Sequence, residues 1–147
     1  MYKRQEHTES IDDIFSVDAR VLVPAALEAS IDETVAGRVT AEVILEVANY
    51  PVTTEADGVL ADKGATVVPD ILASGGGVAV SYLEWVQDLQ HEAWTEDRVN
   101  ARLAEIMETA TGEVLARAEI DGVSLRDAAY LIGVERVAEA EIARGYR

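Results

Sequence analysis

The chain has no cysteine, which excludes disulfides and thiolate chemistry. Lysine is almost absent: Lys3 and Lys63 are the only two, and every other cation is an arginine. No apolar run approaches the roughly 18 residues of a membrane span, so no membrane partner is expected. The two histidines, His7 and His91, show no ligand spacing with each other or with carboxylates, and no metal site is expected. The basic pair Lys3-Arg4 has no apolar stretch behind it. A secretory signal is therefore not expected, and the cytoplasm is the default location.

Acid is what the chain has in excess. Asp and Glu number 28 against 12 Lys and Arg, for a formal net charge of −16. Such a surface repels nucleic acid and anionic membranes, so no nucleic-acid partner is expected. In dilute buffer this charge opposes the compact state. At molar salt the Debye length falls to about 3 Å and the repulsion is screened. Acid-rich, lysine-poor composition fits a halophile's cytosol; the plainer reading is an ordinary acidic protein. With 147 residues, 49% of them hydrophobic, the chain is long enough for one domain with its own core.

Residues 1–19 are polar and irregular. Arg20-Val21-Leu22-Val23 reads as a short strand stopped by Pro24, followed by a helix over 27–36 that Gly37 ends. Val39, Ala41, Val43, Leu45 and Val47 alternate with Thr40, Glu42, Ile44 and Glu46, a period of two that predicts a strand. Asn49-Tyr50-Pro51 is a turn, and Thr54-Glu55-Ala56-Asp57 is a capping-box pattern for a short helix closed by Gly64. Ala65-Thr66-Val67-Val68 predicts a third strand, halted by Pro69. Strands alternating with helices over 20–73 argue for a parallel sheet with crossover helices.

Residues 74–147 read as helical. Ser74-Gly75-Gly76-Gly77 reads as a tight turn before an apolar helix over 78–90. Thr95 caps a long helix that Asp121-Gly122 breaks, and Ser124-Leu125-Arg126-Asp127 caps the last one. Gly112 and Gly133 interrupt helical patterns. Trp85 and Trp94 read as core or interface residues.

Seven stretches, in order, resemble the glutamate/leucine/phenylalanine/valine dehydrogenases. They are Val23-Pro24-Ala25-Ala26-Leu27-Glu28, Glu46-Val47-Ala48-Asn49, Thr53-Thr54-Glu55-Ala56-Asp57, Val67-Val68-Pro69-Asp70-Ile71-Leu72-Ala73, the run from Gly76 through Ser81-Tyr82-Leu83-Glu84-Trp85, Arg126-Asp127-Ala128-Ala129-Tyr130, and Arg136-Val137-Ala138-Glu139-Ala140. The serine-aromatic-x-Glu-Trp pattern at Ser81 is the most specific to the glutamate branch. The resemblance implies an α/β fold: a truncated Rossmann-like nucleotide-binding domain with a small parallel sheet of about three strands, then a C-terminal helical tail. It also implies NAD or NADP as cofactor.

Site roles follow from the resemblance alone. Asn49 matches an asparagine at the nicotinamide end of the cofactor; it also fits a turn-forming residue before Pro51. Ala25 and Ala26 match small residues beside the ribose, or simply open the segment after Pro24. Ser74 stands where an asparagine usually contacts the nicotinamide amide. Val78 and Ser81 match positions lining the substrate side-chain pocket, and they share a helical face at i, i+3. Val47 and Tyr50 replace glycines, so bulk is expected beside the cofactor.

The family's catalytic lysines and aspartate belong to a preceding domain, and its phosphate turn is glycine-rich. These residues contain no G-x-G-x-x-G and no lysine pair. No catalytic residue is therefore assigned, and no activity is expected of the chain alone. Three readings follow: a portion working with a chain that carries the catalytic domain, an accessory module docking on a full-length paralogue, or a gene remnant. A sheet without its first strands should expose an edge, and uncovered helices should expose an apolar patch, so self-association is also expected.

Overall fold

The computed structural model describes residues 11–145; His7 and most of the polar N-terminal segment lie outside them. The chain divides into two compact units, Met1–Val67 and Val68–Arg147.

The first unit opens with a short 3-10 helix, Ile11–Ser16. It then holds β1 (Val21–Leu22), α1 (Glu33–Arg38), β2 (Val43–Leu45), α2 (Thr54–Asp62) and the start of β3 (Thr66–Val68). The three strands form one sheet in the order β1-β2-β3. β1 and β2 run parallel, with Val21 opposite Val43 and Leu22 opposite Ile44. A strand-helix-strand chain can pair this way only through a crossover, which α1 supplies. β1 and β3 are the edges, and both are too short to offer much template for a foreign strand.

Two expectations fail here, for identifiable reasons. The helix expected over 27–36 begins only at Glu33 and contains Gly37. Its first half is claimed by other hydrogen bonds. Ala29 N–H donates to the Tyr50 carbonyl at 2.8 Å, and Ile31 N–H to the Pro51 carbonyl at 2.9 Å. Ile31 also forms an isolated parallel bridge with Val52. Helix α1 starts where Asp32 accepts the Val35 N–H at 2.8 Å.

The strand expected over 39–47 shrinks to three residues. Val39 and Ala41 are buried as the alternation demands, but Ile44 and Glu46 are buried too, at 0% exposure, while Val47 is exposed. Val39 is the C-cap of α1, so the pattern joins a cap to a strand. The strand lies mid-sheet, where both faces are partly covered.

The core of this unit is continuous. Ile31, Val39, Ile44, Val52 and Leu60 are all essentially removed from solvent, with Phe15, Val35, Ala36, Ala41 and Ala56 around them. Helix α2 is capped one residue earlier than the pattern predicts, by Thr53, whose hydroxyl accepts the Ala56 N–H at 3.3 Å. Gly64, at φ +77°, follows it. Lys63 then reaches α1 and donates to the carbonyls of Ala36 at 3.0 Å and Gly37 at 2.8 Å, and to that of Val39. One ammonium thus satisfies three carbonyls at a helix C-terminus, where a cation is also favoured by the helix dipole.

The second unit contains α3 (Asp70–Ala73), α4 (Gly75–Gln90), α5 (Glu96–Asp121) and α6 (Leu125–Ala143). Thr95 accepts the Arg98 N–H, Gly122 ends α5 at φ +66°, and Ser124 accepts the Asp127 N–H, as their positions predict. The glycine run does not form a turn: Gly75, Gly76 and Gly77 are the first residues of α4. A Cβ on Gly76 would meet Leu103 and Met107 at 3.8 Å, an ordinary contact, so close approach does not require glycine there.

The core of this unit is thin: Leu72, Val114, Ala128 and Ala129, with Val68, Ala110 and Ile132 among the residues packed on it. Ion pairs join the helices instead. Arg126 lies 3.7 Å from Asp70, with both side chains more than four-fifths buried. Arg117 binds both oxygens of Glu135, at 2.9 and 3.0 Å, and also holds Asp121.

Candidate functional site

The carboxyl ends of β1 and β2 meet at Pro24. Its carbonyl accepts two backbone donors from the end of β2, Val47 N–H at 3.1 Å and Ala48 N–H at 2.9 Å. Ala25 and Ala26 follow Pro24 on the surface, and Asn49 follows Ala48, likewise exposed. Three of the four residues expected on the nucleotide side thus lie at one edge of the first unit, and the fourth, Ser74, belongs to the second unit. In open parallel sheets, ligands bind outside the carboxyl ends of the strands.

Two further residues mark this edge. Glu46 is completely buried just before it. No sequence rule flagged it, because alternation alone makes it the outward neighbour of Leu45. Tyr50 follows Asn49 with φ +46°, and Val47 is exposed beside the edge.

The remaining site residues belong to the second unit. Ser74 joins α3 to α4. Its hydroxyl donates to the Asp70 carbonyl at 2.6 Å, a local backbone bond that leaves only its lone pairs for another group. Val78 and Ser81 lie on α4 and both are exposed, Val78 at 75%. They begin a longer stripe. Val78, Tyr82, Trp85 and Leu89 are all exposed at helical spacing, while Leu83 is buried. Trp85 is therefore not a core residue. Its ring lies beside that of Tyr82, with ring centroids 6.2 Å apart. Trp94 is half-buried under Arg98, whose guanidinium sits 3.9 Å from its ring centroid.

Two groups with shifted pKa values, Arg117 and Glu135, lie on α5 and α6. The hydrogen bonds from Arg117 hold the Glu135 carboxyl below its ordinary range, and those to Glu135 and then Asp121 raise Arg117. A shallow cavity of about 330 Å³ on the same helix pair is lined by Arg102, Glu105, Ile106, Thr109, Glu113 and Arg136. Its arginines are already paired, Arg136 with Glu113 and Arg102 with Glu105. Among the described residues no cluster of three or more His, Asp or Glu could hold a metal ion. Nor is any described helix long and apolar enough to cross a membrane.

A small parallel sheet with crossover helices, small residues and an amide at its carboxyl edge, and a helical tail define a portion of a Rossmann-like α/β protein. The chain belongs to the Glutamate/Leucine/Phenylalanine/Valine dehydrogenase family, whose model matches residues 1–145. It is 51% identical over 128 residues to the NADP-specific glutamate dehydrogenase A1 of Halobacterium salinarum, covering 86% of this chain and 31% of that protein. Against the NAD-specific glutamate dehydrogenase of Staphylococcus aureus it is 43% identical over 141 residues, covering 96% of this chain and 34% of that one. The hetero-hexameric glutamate dehydrogenase of Thermus thermophilus, solved with leucine bound, superposes with a TM-score of 0.87 at 41% identity, over 90% of this chain and 32% of that chain. The 147 residues thus span about a third of the length of these relatives.

Proposed function

We propose that these residues are the C-terminal portion of an NAD(P)-dependent glutamate dehydrogenase, which deaminates L-glutamate oxidatively to 2-oxoglutarate and ammonia. They work only together with a polypeptide carrying the catalytic domain. The 51% identity to a haloarchaeal NADP-specific enzyme carries this reading. The acidic, lysine-poor composition supports a halophile's cytoplasm as its setting.

The residues present fit one end of a dinucleotide. Ala25 and Ala26 leave room for a ribose, and the exposed Asn49 carboxamide can both donate to and accept from a nicotinamide amide. Ser74, in the second unit, keeps acceptor capacity of its own. The sequence contains no glycine-rich phosphate turn for a pyrophosphate. When bound, the dinucleotide supplies the hydride acceptor. On the substrate side, Val78 offers apolar contact to the glutamate side chain and the Ser81 hydroxyl donates to its distal carboxylate. Lys63, the one lysine in the described residues, is committed to three backbone carbonyls. A catalytic lysine must therefore come from elsewhere.

The purified chain should form no NADH or NADPH from glutamate in molar KCl. Adding a polypeptide that carries the catalytic domain and phosphate turn of a haloarchaeal relative should restore it. In that mixture Ser81→Ala should raise KM for glutamate more than it lowers kcat. Turnover by the chain alone would refute the reading.

The exposed apolar stripe of α4 supports a second reading, a non-catalytic module docking on a full-length dehydrogenase. Binding to an intact relative without restored turnover in the mixture would favour it.

A further inference from the structure

Tyr50 holds a backbone conformation that side chains with a Cβ disfavour, at φ +46°. Its surroundings hold it at both ends. Its carbonyl accepts the Ala29 N–H at 2.8 Å, and Ala29 is itself left-handed at φ +48°. Its phenolic oxygen accepts the Thr54 N–H at 3.2 Å and lies 3.2 Å from the Thr54 hydroxyl. Thr54 is the first residue of α2, and the buried Pro51 fixes the chain just after Tyr50. The aromatic side chain is thus laid from the carboxyl end of β2 to the start of the next helix.

Strained residues persist where the surrounding structure over-determines them, and they concentrate at clamps and switches. This one stands at the sheet edge where parallel α/β proteins take ligands. Asn49, with its exposed carboxamide, is the preceding residue.

We infer that Tyr50 is a strap at the ligand edge of the first unit, narrowing the space beside Asn49 for the nicotinamide end of a dinucleotide. This rests on the dinucleotide reading proposed above. Entry of the ring system breaks the hydrogen bonds to Thr54 and turns the phenol aside. Glycine at this position would take the same backbone conformation without strain and leave the edge open. Phenylalanine would keep the ring and the strain but lose the fastening.

Two readouts on the full chain in molar KCl test this. Amide hydrogen exchange at Thr54 should accelerate in Tyr50→Phe, and an unchanged rate would overturn the fastening. Saturation-transfer NMR with NADH and NADPH should show roughly tenfold tighter binding for Tyr50→Gly than for the natural chain, with Tyr50→Phe in between. The gain should be largest at the nicotinamide protons. Equal affinity in the natural chain and Tyr50→Gly would overturn the strap and leave the dinucleotide reading standing. No saturation transfer to any of the three would also overturn the strap, because opening the edge would then have gained nothing, while the dinucleotide reading is tested separately by the complementation above.

Discussion

The two units solve the problem of burial differently. The first encloses Ile31, Ile44, Val52 and Leu60 around a small sheet, and its exposed apolar residues, such as Val21, Val23, Leu27 and Val47, lie on or just after the short strands rather than along a helix face. The second buries Leu72, Leu83, Val114 and two alanines, Ala128 and Ala129, yet turns Val78, Tyr82, Trp85 and Leu89 of α4 outward, along with Tyr130, Val134 and Val137 of α6. Each exposed set repeats at i, i+4, i+7, the spacing of a face built to be covered. Scattered apolar residues need no explanation, but aligned stripes do. The first unit thus has a continuous core of its own, whereas the second has a thin core, is held also by helix caps and arginine forks, and leaves aligned apolar helix faces exposed.

The sharpest way to break this contrast is to remove one large apolar side chain from each unit. Leu60→Ala should destabilise the first unit by about 2–5 kcal/mol in chemical denaturation at molar KCl. Trp85→Ser on the α4 stripe should change stability by less than about 0.5 kcal/mol. Comparable losses at both positions would contradict the contrast.

A smaller effect is expected at Lys63. Lys63→Met keeps the aliphatic stem but removes one donor shared by three carbonyls of the α1 terminus, of which that of Ala36 keeps the Val39 N–H, and should cost about 1–2 kcal/mol in the same assay. In the second unit, Gly133→Ala should be stabilising by up to about 1 kcal/mol, because a Cβ there meets nothing within 4 Å and the residue lies inside α6.

The Arg117 fork gives a pH-dependent difference that is smaller still. Glu135 is held below its ordinary pKa by Arg117, so the unfolded chain binds the proton more readily. Its contribution is therefore present above the unfolded value and is lost as pH falls through the folded one. Thermal scans from neutral to acid pH should show this loss in the natural chain, and a shallower one in Arg117→Met. These groups are exposed, so molar salt should shrink the difference.

The sequence made the second unit's ends easy to read, because Thr95, Gly122 and Ser124 act locally through their own caps. Its interior glycines misled, since a run of three reads as a turn even where it starts a helix. In the first unit the alternation around β2 was a true signal for a strand but gave its length and inward face wrongly. There Val39 belongs to a helix cap, and Glu46 is buried by tertiary packing that no window of sequence reports. The placement of 29–31 beside 50–53 depends on backbone bonds between distant segments and could not be read locally. Candidate residues such as Asn49 and Ser81 were legible only through resemblance. The left-handed Tyr50 and the triple use of Lys63 required coordinates.

Native-state amide exchange on the full chain in molar KCl tests the contrast most directly. Amides of β2 and of α2 around Leu60 should exchange only through global opening of the first unit. Those of α4 around Trp85 should exchange through smaller openings, orders of magnitude faster. Equal protection of α2 and α4 in the isolated chain would show that the helical unit is already complete, and would contradict the account.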